Sequence, residues 1–184
     1  MAFKFEPHGD IEGLLVVEGG FFPDERGFFF ESFRADEWER LGLPPLVQDN
    51  LSRSKKNVVR GLHYQIPPKP VGKLVRCVKG RIFDAVVDLR KRSRTFGQAA
   101  TIELDDSANR MFWVPAGFAH GFCALSEEAI VAYKVTDYWS KEVDRGIRWS
   151  DPSLDIPWPV SKADAIVTPK DEALPTLAQA FNPF

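Results

Sequence analysis

The sequence predicts an all-β domain closed into a sandwich or barrel, with a single short helix. Short apolar runs recur along the whole chain, Gly, Pro, Asp and Ser punctuate them, and one stretch alone carries helix start and stop signals. With 13 Gly and 14 Pro in 184 residues, there are enough breakers to separate many short strands. The apolar or alternating runs fall at residues 14–17, 28–33, 46–51, 57–64, 73–78, 81–89, 99–104, 110–114, 117–125 and 129–136. The helix is expected at 36–41, with Asp36 as its cap, Glu39 three residues on, and Gly42 then Pro44-Pro45 as the stop. From about residue 150 the chain turns rich in Pro, Asp and Ala with weak periodicity, which predicts a C-terminal segment wrapping the barrel.

A chain of 20.8 kDa suits one domain over residues 1–184, and a domain of this size buries roughly 70% of its unfolded surface. The formal charge of -2 and pI near 6.0 give no general attraction to nucleic acid or to an anionic membrane, so neither is expected as a partner. The basic run Arg90-Lys91-Arg92-Ser93-Arg94 leads into Thr95-Phe96-Gly97 and reads as a solvated turn. Cys77 and Cys123 lie within apolar runs, as buried thiols of a reducing compartment would. No window has the length of a signal peptide or of a membrane span, and a cytoplasmic protein is expected.

The chemistry concentrates in Arg60-Gly61-Leu62-His63-Tyr64-Gln65 and in Lys73, which heads Leu74-Val75-Arg76-Cys77-Val78. A histidine takes a proton near neutral pH. A nearby ammonium can hold the negative charge that develops on a carbonyl oxygen. Together they suggest proton abstraction beside a ketone. Strand alternation puts Lys73 on one face with Val75 and Cys77, an unusual setting for a lysine without a task; a strand-end lysine reaching water is the alternative. Tyr133 shares a face with Val131 and Val135, either as a proton donor into a cavity or as a core tyrosine. His120 alternates with Phe118 and Phe122, as an aromatic-walled polar site or a satisfied core histidine would. Gln48 and Asn50 share a face and could point two amides at one ligand. Arg60 and His63 fall on opposite faces of a regular strand, so both reach one pocket only if Gly61 kinks it.

Asp24-Glu25-Arg26-Gly27 reads as a charged turn, yet Arg26, Arg60 and Lys170 could supply donors for a diphosphate. Phe28, Tyr138 or Trp139 could stack a base. His8, His63 and His120 are the three histidines, and His63-Tyr64-Gln65 lacks the second histidine of a ligand pair. No metal and no other cofactor is therefore expected, and no Gly-rich phosphate loop is present.

The stretches DERGFFFESF, VQDNLSRSKKNVVRGLHYQ, GKLVRCVKG, DLRKRSRTFGQ, VPAGFAHGF, YKVTDYWS and PKD occur in an order and spacing that resembles the dTDP-4-dehydrorhamnose 3,5-epimerase family. The resemblance implies a single cupin-type jelly roll, a homodimer, no metal, and a thymidine-diphosphate 6-deoxy sugar with a ketone at carbon 4 as substrate. It makes His63 the base, Tyr133 the opposing proton donor or relay, Asp171 the orienter of His63, and Lys73 the partner of the enolate oxygen. It assigns substrate contacts to Arg26, Glu31, Gln48, Asn50, Arg60, His120, Asp144 and Lys170, with Phe28 and Tyr138 as further candidates. Position 144 carries aspartate where relatives also show glutamate, and Trp139 stands where tyrosine is common. Asp84 either orients His120 or bonds elsewhere on its strand. The run Phe28-Phe29-Phe30 suits an edge strand covered by a second subunit.

Overall fold

The computed structural model describes residues 3–184. Its elements run β1 (Lys4–Pro7), β2 (Leu15–Glu18), β3 (Phe21–Asp24), β4 (Gly27–Phe30), α1 (Ala35–Arg40), β5 (Gln48–Lys55), β6 (Val59–Gln65) and β7 (Lys73–Lys79). They continue with β8 (Arg81–Asp88), β9 (Ala99–Asp105), β10 (Arg110–Val114), β11 (Phe118–Ala124), β12 (Glu128–Val135), β13 (Asp144–Gly146), a 3-10 turn at Pro152–Leu154, and α2 (Pro169–Glu172). The all-β expectation holds.

A six-stranded sheet, ordered β1-β2-β10-β7-β12-β5, faces a five-stranded sheet ordered β13-β6-β11-β8-β9, in a cupin-type jelly roll. Period-2 alternation sends Val75, Phe112 and Val131 of the first sheet against Ile82, Val86, Phe118 and Phe122 of the second. Each such side chain is fully or almost fully buried, and each contributes roughly 1.5–3 kcal/mol by leaving water. On the outer side of the five-stranded sheet, Leu62, Tyr64, Val87 and Ala119 pack with Ile147, Leu154, Trp158, Leu177 and Phe184 from the C-terminal part of the chain. Tyr64 Oη donates to the Phe181 carbonyl at 2.7 Å, and Asn182 Nδ2 donates to the Leu89 carbonyl at 2.7 Å.

Two local expectations are corrected. Residues 28–33 are not one strand: β3 and β4 form a separate two-stranded hairpin, closed at Asp24↔Gly27, which pairs with neither sheet. Asp36 does not cap α1. Arg34 occupies the cap position without a side-chain bond, and its guanidinium instead binds the Asp36 carboxylate. Gly42, at φ 68, ends the helix as expected.

The bend that Arg60 and His63 require is present. Gly61 sits at φ 110, and a Cβ there would lie 2.7 Å from the His120 carbonyl oxygen and 2.8 Å from Gly121 Cα. The β6–β11 register shifts at this point: His63 faces His120, while Arg60 faces Phe122. The extra residue on β6 turns both Arg60 and His63 toward the barrel interior.

Candidate active site

Between the sheets lies a chamber of about 210 Å³, whose walls include Arg60 and His63 of β6, His120 of β11, Lys73 of β7, Ser52 of β5 and Tyr133 of β12. It adjoins an outer chamber of about 280 Å³, lined among others by Gln48, Asn50, Trp139, Asp144 and Lys170. His63, Lys73 and Tyr133 border both, so the residues with the strongest chemical potential stand at the junction.

His63 Nε2 is 2.8 Å from Asp171 Oδ1, and the Gly61 N–H donates to Asp171 Oδ2 at 3.1 Å. The carboxylate accepts both bonds, so Nε2 carries the proton and Nδ1 keeps its lone pair. Asp171 is itself fixed: Thr168 Oγ1 accepts its N–H at 3.2 Å, and Pro169 begins α2 where its missing N–H costs nothing. Burial would raise the Asp171 carboxyl, but the bond and charge of His63, the Gly61 N–H and Lys170 hold it below the usual carboxylate range.

Lys73 Nζ donates to the His63 carbonyl at 3.2 Å, a neutral acceptor that leaves its charge available. Burial pushes the ammonium down to about 8, against the pull of Asp84 and Asp144. Burial also raises the Tyr133 phenol, with Arg60 opposing, which keeps it a proton donor through the neutral range. His120 Nε2 lies 2.8 and 3.0 Å from the two oxygens of Asp84, so Asp84 does orient His120. Burial pushes His120 below its ordinary value, and Lys73 and His63 add to this against Asp84.

The other polar candidates also carry defined bonds. Arg60 Nε donates to Ser54 Oγ at 3.0 Å, Gln48 Nε2 to Asn50 Oδ1 at 2.9 Å, and Lys170 Nζ to Asp144 Oδ2 at 2.8 Å.

Four expected site residues do not line these chambers. Arg26, with a side chain 85% exposed, pairs with Asp24 at the hairpin tip. Phe28 lies on the same hairpin and is 54% exposed, and Glu31 follows its second arm. This hairpin pairs with neither sheet and packs through Phe30 on the six-stranded sheet, away from both chambers. Tyr138 is 60% exposed and meets the site only through its carbonyl, which accepts from Gln65; its neighbour Trp139 supplies the aromatic wall. Ser52 and Gln65 were not anticipated. Ser52 was legible, since it continues the Gln48, Asn50 alternation by one step.

A histidine with an oriented lone pair, a lysine beside it and a phenol on the facing sheet define a cupin-type barrel equipped for enolisation. The family profile described as dTDP-4-dehydrorhamnose 3,5-epimerase matches residues 8–179. The chain is 51% identical over 153 residues to the dTDP-4-dehydrorhamnose 3,5-epimerase of Shigella flexneri, covering 82% of this chain and 84% of that protein. Against the Escherichia coli K12 enzyme of the same name it is 46% identical, with 94% of each covered. Its fold superposes with a TM-score of 0.91 and 44% identity on the dTDP-6-deoxy-D-glucose-3,5-epimerase of Legionella pneumophila Philadelphia 1 in complex with dTDP-4-keto-L-rhamnose. That match covers 96% of this chain and 94% of the other. This chain belongs to the dTDP-4-dehydrorhamnose 3,5-epimerase family.

Proposed function

We propose that this protein epimerises carbons 3 and 5 of dTDP-4-dehydro-6-deoxy-D-glucose, giving dTDP-4-dehydro-L-rhamnose through enolate intermediates. The observation that carries the reading is that His63 and Tyr133 reach one chamber from opposite sheets, with Lys73 lining the same chamber. The ketone at carbon 4 acidifies the hydrogens on carbons 3 and 5. His63 Nδ1 takes the proton from one face, Lys73 stabilises the enolate oxygen, and Tyr133 returns a proton from the other face. Lys73 supplies the positive charge that a Lewis acid would otherwise provide, so the reaction as written needs no metal or organic cofactor. Arg60, Gln48, Asn50, His120, Asp144 and Lys170 hold the nucleotide sugar, whose diphosphate lies toward Lys170 and whose base stacks on Trp139.

A relative named dTDP-4-dehydrorhamnose 3-epimerase, from Streptomyces niveus, is 37% identical, which makes epimerisation at carbon 3 alone the second reading. The 44–51% identity to the bacterial 3,5-epimerases of Shigella, Escherichia and Sinorhizobium favours the first. Incubation with the keto sugar in deuterated water separates them. Deuterium is expected at both carbons; label at carbon 3 alone selects the second reading, and undiminished exchange in His63→Ala refutes the base.

The working unit in this reading is a cytoplasmic homodimer. The hairpin exposes Phe22, Phe28 and Phe29, and the outer face of the six-stranded sheet exposes Leu51 and Val78. Arg76 stacks 4.0 Å over the Phe30 ring and joins the two surfaces. A second copy would cover this apolar area, and Arg26, Phe28 and Glu31 would then reach its nucleotide rather than their own. Light scattering should give twice the chain mass; a monomer at working concentration would remove this part.

A further inference from the structure

Two connections that pass from one sheet to the other line the outer chamber. Residues 66–72 leave β6 for β7, residues 136–143 return from β12 to β13, and they bring Val71 and Trp139 to the chamber wall. Trp139 does not secure its own place. It is 58% exposed, and its indole N–H has no partner among the described residues. Two side-chain amides hold the backbone around it instead. Gln65 Oε1 accepts the Ser140 N–H at 2.7 Å, Gln65 Nε2 donates to the Tyr138 carbonyl at 3.3 Å, and Gln48 Oε1 accepts the Trp139 N–H at 3.1 Å. Three consecutive residues are thus tied to β6 and β5, one strand in each sheet. Gln65 Nε2 also donates to the Lys69 carbonyl of the other connection at 2.8 Å. A second tie joins the same two connections, from the Gly72 N–H to Thr136 Oγ1 at 2.8 Å and from the Thr136 N–H to the Gly72 carbonyl at 3.1 Å. Gln65 is only 4% exposed, and its amide is spent on backbone groups, with its oxygen accepting and both its N–H bonds donating.

We infer that Gln65 is a positioning residue for the nucleotide: its amide fastens both connections and thereby fixes the Trp139 ring as the wall on which the nucleobase stacks. The inference rests on the nucleotide-sugar reading above and gives a task to a residue that reading leaves without one. A wall held in place before the ligand arrives has less freedom to lose on binding, so the tie acts on affinity. The chemistry requires an amide. A carboxylate of the same shape would set an acceptor against the Lys69 and Tyr138 carbonyls, and an apolar chain of the same length would orphan one N–H and two carbonyls. Gln65 follows His63 by two residues on β6, so a single strand carries the proton-abstracting group and the tie that places the nucleotide.

The test measures dissociation constants for dTDP by calorimetry on the wild-type protein, Gln65→Met, Trp139→Ala and the double variant. Trp139→Ala is expected to bind dTDP about 5- to 150-fold more weakly, the worth of one base stacked on an aromatic side chain. Gln65→Met should show much of that loss, and the double variant should bind no more weakly than Trp139→Ala, because Gln65 acts through the indole. In steady-state assays with the keto sugar, Gln65→Met should raise KM by a similar factor while kcat changes by less than about threefold. Gln65→Glu, equal in shape, should bind dTDP more weakly than Gln65→Met. Losses that add in the double variant, a fall in kcat with dTDP affinity unchanged, or a Gln65→Glu protein that binds like the wild type each overturn the inference. Gln65→Glu replaces Gln65→Met in the cycle if the latter does not fold; failure of both to fold would make the amide a requirement of folding and overturn its positioning role. The two readings fail differently. Affinity lost in Trp139→Ala but kept in Gln65→Met removes the inference alone, whereas a wild-type protein that does not bind dTDP removes the nucleotide-sugar reading and the inference with it.

Discussion

The two histidine–aspartate pairs have the same chemistry and opposite construction. Asp84 and His120 sit on neighbouring strands of one sheet, at side-chain exposures of 0% and 8%. His63 is 33% exposed, and its partner Asp171 arrives from α2, far along the chain. A pair built into a sheet has no room to change partners, while a pair assembled across two segments leaves one ring nitrogen facing an open junction. The difference teaches that an aspartate beside a histidine does not by itself mark a base; what matters is where the second nitrogen looks and what can reach it.

The comparison breaks most visibly at His63. His63→Ala should reduce deuterium exchange into the keto sugar by about 10²- to 10⁴-fold, the usual worth of a positioned base, whereas Asp84→Asn, which alters only the partner of His120, should weaken it by about tenfold. If both variants lose activity equally, the division of roles between the two pairs fails. Removing the charge that faces both histidines comes next. Lys73→Met should lower kcat by about a hundred-fold or more, measured in steady-state assays.

The same substitution should stabilise the fold. Lys73 ionises in the unfolded chain near its ordinary 10.5 and in the folded protein at about 8. The unfolded state therefore binds more protons between these values, and stability rises as pH climbs from 8 to 10.5. Below pH 8 the full burden of about 3 kcal/mol is present, so Lys73→Met should melt at a higher temperature than the wild type at pH 7. A lower melting temperature would show that the lysine is not held at a cost. In activity, kcat/KM should fall above about pH 8 as the ammonium loses its proton, and Lys73→Arg should shift that fall upward.

Smaller effects sharpen the Asp171 side. Its carboxyl is held below the ordinary range, so its contribution to stability is present above the unfolded value and lost as pH falls through the folded one. Asp171→Asn should flatten the acid limb of a melting-temperature profile; an unchanged limb would mean the pair does not stabilise the fold.

Much of this was legible in the sequence, for reasons that differ by residue. Alternation alone put Lys73 on a face with Val75 and Cys77 and placed Gln48 with Asn50, because a strand's period of two needs no tertiary information. It could not tell whether Gly61 bends β6, since the bend is set by the close approach of the His120 carbonyl from another strand. Asp171 could be tied to His63 only through family likeness, because nothing local in Pro169-Lys170-Asp171 reports which strand the segment crosses. The hairpin was misread as one strand since Asp24-Glu25-Arg26-Gly27 is a turn whose first arm, Phe21-Phe22-Pro23, contains a proline. At Tyr138-Trp139 two adjacent aromatics are about equally exposed, and only Trp139 lines the outer chamber, a choice that nothing in their order along the chain decides.

The Asp171 carboxylate also bonds the Gly61 N–H, so the segment that orients the base is anchored to the bend that aims it. Both sheets draw all their strands from residues ahead of Ser150, while Asp171 lies beyond it. On a ribosome, the walls of the chamber emerge before the group that sets its proton transfer. The group that orients the base is thus synthesised after every strand it serves, and the residues that cover the outer face of the five-stranded sheet, Leu177 and Phe184, follow it still later.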